Sequence, residues 1–150
     1  MKRLSKYMVV VMILLLAVVL MTGCCIDDKV TGGGRFENEL GRVQEKCTFG
    51  FNAQGEGCLC DGIDYKGQFQ FNDHAGVKLH MAVAHLEDVS SIQFPNTYKI
   101  EGVDKKSGLE IVVYVQDLGQ PGPDDGDGIR VEWDNREWQG ELEGGNIVIH

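Results

Sequence analysis

Asp117, Asp124, Asp125 and Asp127 crowd into one stretch of the chain, interleaved with Gly119, Pro121, Gly122, Pro123, Gly126 and Gly128. Carboxylates on a flexible loop are the hard oxygen ligands that Ca²⁺ prefers. Asp117 would cap such a loop from the end of the preceding strand. The spacing is not that of an EF-hand: the D-x-D-x-D-G register fails and no glutamate closes the loop. The plain structural alternative is a solvated turn, because Asp and Gly are ordinary turn residues. Ca²⁺ is therefore the only cofactor this stretch suggests.

Cysteines offer the second chemistry. Cys47, Cys58 and Cys60 lie around a glycine-rich segment. A bridge from Cys47 to Cys58 or Cys60 would close the Thr48–Gly57 stretch and contribute roughly 2–4 kcal/mol. The same three thiolates with a histidine would suit tetrahedral Zn²⁺ or Cu(I), although C-x-C is not the usual zinc-knuckle spacing. A redox pair has less support, since no helix N-terminus is at hand to lower a thiol pKa.

Histidines do not converge. His74 falls in a turn signal, His80 and His85 have opposite strand parity, and His150 is the last residue. The chain lacks a Ser-His-Asp order, a G-x-S-x-G elbow, an H-E-x-x-H pair and a P-loop. No catalytic residue is assigned, and an enzyme is not expected. A hydrolase without a recognisable motif is the remotest alternative.

The elements that must position these groups are strands. Val77, Leu79, Met81 and Val83 alternate with polar or small residues, as do Phe69 with Phe71, and Ile129 with Val131 and Trp133. Leu109, Ile111, Val113 and Val115 share another face, and Ile147 and Ile149 close the chain. This period of two marks sheets with one buried face. Turn signals stand at 52–57, 73–76, 95–96, 104–108, 119–128 and 143–146. The expected fold is all-β: an antiparallel β-sandwich, or else a closed barrel, of about nine short strands after an N-terminal signal helix.

The first residues read as an address. Lys2, Arg3 and Lys6 precede an apolar run from Met8 to Met21, and then come Thr22, Gly23, Cys24 and Cys25. That is a basic n-region, an h-region and a small-residue cleavage site. Met21-Thr22-Gly23-Cys24 resembles the lipobox of bacterial lipoproteins. The resemblance implies that residues 1–23 are a cleaved signal peptide and that Cys24 is diacylated, with palmitate-type chains holding the protein to its membrane. Residues 24–30 would form a short tether and 31–150 a single β domain. An uncleaved anchor over Met8–Ile26 and a released protein are the alternatives.

The leader holds three of the 14 basic residues and none of the 23 acidic ones, so the remaining 127 residues carry a net charge of −12. So acidic a surface argues against nucleic acid as a partner.

A second resemblance spans nearly all of residues 30–150. Its elements are Thr31-Gly32-Gly33-Gly34, Phe49-Gly50-Phe51-Asn52-Ala53, Phe69-Gln70-Phe71, Asp117-Leu118-Gly119-Gln120-Pro121-Gly122 and the ending Gly140-Glu141-Leu142-Glu143-Gly144-Gly145-Asn146-Ile147-Val148-Ile149-His150. They resemble a small β domain of secreted and surface proteins in bacteria and archaea. The resemblance implies an extracytoplasmic accessory or binding module, and no activity carries over from it. The expected function is thus a membrane-anchored lipoprotein of the cell envelope, acting as a binding or structural module, with an envelope protein or polysaccharide as partner. A metal-binding lipoprotein is the alternative.

Overall fold

The computed structural model describes residues 25–40, 45–58, 62–119 and 126–150. They form eight strands and no helix: β1 (Cys25–Glu37), β2 (Lys46–Cys58), β3 (Gly62–Asn72), β4 (Lys78–Asp88), β5 (Thr97–Asp104), β6 (Glu110–Gln116), β7 (Gly128–Trp133) and β8 (Arg136–Ile149). Each strand pairs antiparallel with the next in sequence, and β8 returns to pair with β1. The hydrogen bonding therefore runs round one sheet that closes in a ring.

The alternation seen in the sequence places the core. Phe69, Met81, Ile100, Ile111, Val113, Val115 and Val131 are all fully buried on the inner face. Aromatic rings fill one half of the interior: Phe71 lies 5.0 Å from Trp138 and 6.4 Å from Phe36, and Phe36 meets Phe49 edge-on at 6.1 Å. A ring of about eight strands is just wide enough for inward side chains to fill it.

Two expected turns are continuous strand. Residues 52–57 belong to β2, and 143–146 belong to β8. The glycines there do not reverse the chain; they let neighbouring strands approach. A Cβ on Gly34 would strike the Gly144 carbonyl oxygen, and one on Gly145 the Gly33 carbonyl oxygen. Gly145 also has φ +113°, a region that L side chains rarely adopt. With these segments in strand conformation, β2 and β8 are long, 13 and 14 residues. β1 likewise begins at Cys25, so the residues expected as a tether are already sheet, paired through Asp27↔Glu56 and Lys29↔Gln54.

Antiparallel order sorts the connections onto two rims. The first rim carries Cys25 and Cys58, the 89–96 loop, residues 117–119 and 126–127, and His150. The second carries residues 38–40 and 45, the 73–77 and 105–109 connections and the Asp134-Asn135 turn. Both residues of that turn have positive φ, 46° and 60°, as a tight two-residue hairpin requires.

Candidate functional site

The cysteines come apart. Cys58 is joined to Cys25, its direct partner across β1 and β2, and not to Cys47. The reason is the length of β2. Cys47 and Cys58 sit near its opposite ends, roughly 35 Å apart at about 3.3 Å per residue. No hairpin brings them together, so neither the expected bridge nor a thiolate metal site can use both. Cys60 lies outside the described residues, as does Cys24.

Cys47 is a core residue. It is unpaired and fully buried, and its thiol donates to the Glu45 carbonyl at 3.6 Å. Burial, then the charges of Asp73 and Glu45, push its pKa up to about 12. A thiol held protonated in this way is a poor nucleophile and a poor metal ligand.

The acidic segment is described only at its two ends; Asp124 and Asp125 lie outside the described residues. Asp117 and Asp127 act on β8. Asp127 Oδ1 accepts the Leu118 amide at 3.0 Å and Oδ2 the Ile147 amide at 2.9 Å. Asp117 Oδ1 accepts from Gly119 at 3.0 Å and Oδ2 from Ile149 at 3.2 Å. β7 starts opposite Glu141, so the C-terminal half of β8 has no ladder partner on that side. The two carboxylates satisfy amides that a longer β7 would have taken. Among the described residues no three His, Cys, Asp or Glu side chains are grouped so as to hold a metal ion.

Two more buried acids escaped sequence reasoning. Asp73 Oδ1 accepts three amides, from Ala75, Gly76 and Val77, at 2.8–2.9 Å. Asp104 Oδ1 accepts the His80 amide at 3.1 Å, while its Oδ2 takes the Ser107 amide at 2.7 Å and hydroxyl at 2.6 Å. Both stood in turn signals. Their position at strand ends, followed by Gly76 and by Ser107-Gly108, was the cue that each carboxylate would fold its own turn.

Two clefts open at the second rim. One, of about 480 Å³, is lined by Asn38, Glu45, Asp73, Arg136, Glu137 and Trp138. Its walls are fixed. The Asn38 side chain accepts the Gln139 amide at 3.1 Å, and Trp138 is packed on Phe71. The other, of about 550 Å³, continues round the outside past Arg136 and Glu137 to Trp133, Glu132 and Arg130. Arg130 contacts Glu132 at 2.7 Å and Glu137 at 2.6 Å and lies 5.7 Å over the Tyr114 ring. Arg136 lies 5.9 Å over Trp133, whose buried indole N–H has no hydrogen-bond partner among the described residues. The result is a polar rim with both charges and aromatic rings. Charged groups and ring faces of this kind can make hydrogen bonds and cation–π contacts.

Comparison with models of protein families, with curated proteins and with solved structures finds no match to this chain.

Proposed function

We propose that this protein is an extracytoplasmic lipoprotein of the cell envelope, held to its membrane through Cys24, whose β domain is a binding module. The observation that carries this reading is the placement of the two ends. Cys25, one peptide bond after the residue expected to carry lipid, opens β1 at the first rim, whereas the two clefts lined by Trp138 and by Trp133 lie at the second. An anchor at one rim directs the other away from the membrane. The disulfide at Cys25 fits an oxidising compartment, and it fastens the chain next to the anchor.

The ring is read as a closed barrel. Every strand has two hydrogen-bonded neighbours, and one inward face supplies the core. A rigid body of this kind suits a presenting scaffold. The partner surface is the rim of Arg130, Trp133, Arg136 and Glu137, and its mixed charge beside the half-buried Trp133 ring favours a polysaccharide or a polar protein surface.

Intact mass of the protein from its native membrane tests the anchoring. A chain beginning at Cys24 and carrying acyl groups supports it. A full-length mass, or an unacylated soluble form, refutes it.

A further inference from the structure

The first rim bears an apolar prominence. Ile92 is completely exposed and Phe94 more than half exposed, at the tip of the loop between β4 and β5. Leu118, on the neighbouring connection, is also exposed. Large apolar side chains pointing outward from a packed domain mark contact surfaces when they cluster.

The loop is built to hold them there. The Ser91 amide donates to the Phe94 carbonyl at 2.9 Å, and the Phe94 amide donates to Ser91 Oγ at 3.0 Å. Thr97 Oγ1 donates to the carbonyls of Phe94 and Pro95, both at 3.1 Å. Gln116 Nε2 donates to the Pro95 carbonyl at 3.0 Å, and the Asp117 amide to the Asn96 carbonyl at 3.1 Å. Ile92 and Phe94 are therefore presented by a braced turn joined to the Leu118 connection. Little ordering remains to be done on contact.

Two observations name the occupant. Residues 89–96 contain no Asp, Glu, Lys or Arg, in a chain with 23 acidic residues. An uncharged apex with protruding apolar side chains suits the interfacial layer of a bilayer. The apex also shares its rim with Cys25. Burial, then the nearby charge of Asp28 on β1, push the pKa of Tyr98, just after the loop, up to about 12, so the start of β5 lies near β1 at that rim. One trans peptide bond of about 3.8 Å separates Cys25 from Cys24.

We propose that Ile92 and Phe94 insert into the surface of the bilayer that carries the anchor, giving the domain a second membrane contact and a fixed upright orientation. This rests on the lipoprotein reading. The acidity of the rest of the chain favours zwitterionic over anionic lipid at this contact.

Tryptophan fluorescence tests it. Both native tryptophans, Trp133 and Trp138, sit at the far rim and serve as the internal control. The mature protein, extracted from its membrane, is reconstituted into phosphatidylcholine vesicles with brominated acyl chains, as wild type and as Phe94→Trp. The expected result is that the variant emission is quenched relative to unbrominated vesicles and that of the wild type is not. A variant that floats with the vesicles, melts like wild type and is not quenched would overturn the insertion while leaving the anchor intact; the loop would then serve a protein partner. Protein that does not float at all would overturn both readings together.

Discussion

The Asp127 carboxylate accepts the Ile147 amide at 2.9 Å in the interior, and its other oxygen holds Leu118. One side chain thus joins the 117–127 connection to the strand that closes the ring. Asp127→Ala would leave both amides without their partner. A buried, unsatisfied amide costs about 1–3 kcal/mol, so a loss of about 2–3 kcal/mol is expected. Urea unfolding would show it as a lower midpoint at unchanged slope. Asp127→Asn, which keeps one carbonyl acceptor, should lose less.

The bridge between Cys25 and Cys58 joins residues 33 apart. Tying a loop of that size restricts the unfolded chain by about 3–4 kcal/mol in the chain-entropy account. Cys58→Ala should lower stability by that order, and reductant should lower the wild type to the same level without affecting the variant. A wild type insensitive to reductant would mean that the bridge does not form.

Much of this fold is legible in the chain because alternation directly reports one buried face. Leu79, Met81, Val113 and Val131 are core residues for the reason their spacing gives. Glycine misleads. Gly55, Gly57, Gly144 and Gly145 read as turns because turns use glycine, yet close approach of two strands uses it too, and only the neighbour across the seam distinguishes the cases. The cysteines fail for the same reason. Once residues 52–57 are strand, Cys47 and Cys58 separate, and Cys25 becomes the direct neighbour of Cys58. Asp117 and Asp127 were singled out for their oxygens, and those oxygens do bind, to amides of β8. The rim of Arg130, Trp133 and Arg136 carried no readable signal, because these residues of β7 and β8 come together only once the two strands pair across the Asp134-Asn135 turn.

Gly145 and Gly50 make a contrasting pair. Gly145 has φ +113°, and an added Cβ would enter the Gly33 backbone. Gly50 has no atom within 4 Å of such a Cβ. Gly145→Ala should cost about 3 kcal/mol or more, since it combines strain with a backbone clash at the β1–β8 seam. Gly50→Ala should be neutral or stabilise by about 0.5 kcal/mol through the unfolded chain. Thermal melts of the two variants side by side would check both signs.

Asp104 sets an acid limit. Burial acts to raise its pKa, but the Ser107 hydroxyl and the amides of His80, Ser107 and Lys106 outweigh it and hold the carboxyl below its ordinary value of 3.8. A folded-state pKa below the unfolded one gives stability that is complete above the unfolded value and is lost as pH falls through the folded one. Unfolding free energy should therefore decline as pH drops below about 4. Asp104→Asn should be less stable at neutral pH and should show a shallower decline over that acid range. Equal slopes for the two proteins would refute this role.

Ring closure depends on the last residues of the chain. Val30 pairs with Ile149 and Gly32 with Ile147, Ile147 is buried, and the His150 amide donates to the Lys29 carbonyl at 2.9 Å. Deleting 146–150 would remove the Ile147 side chain, worth about 1.5–3 kcal/mol of burial. It would also free the Asp127 and Asp117 carboxylates that hold the amides of Ile147 and Ile149, and it would expose an edge of β1. The sum is a large part of the stability of a domain this size, about 5–15 kcal/mol. The truncated chain should lose its near-ultraviolet circular dichroism from the packed aromatic core and its cooperative melt. A single His150→Ala change, which leaves the backbone pairing intact, should keep both. A truncated protein that still melts cooperatively would mean that β1 and β8 do not need each other, and the ring would then be an open sheet.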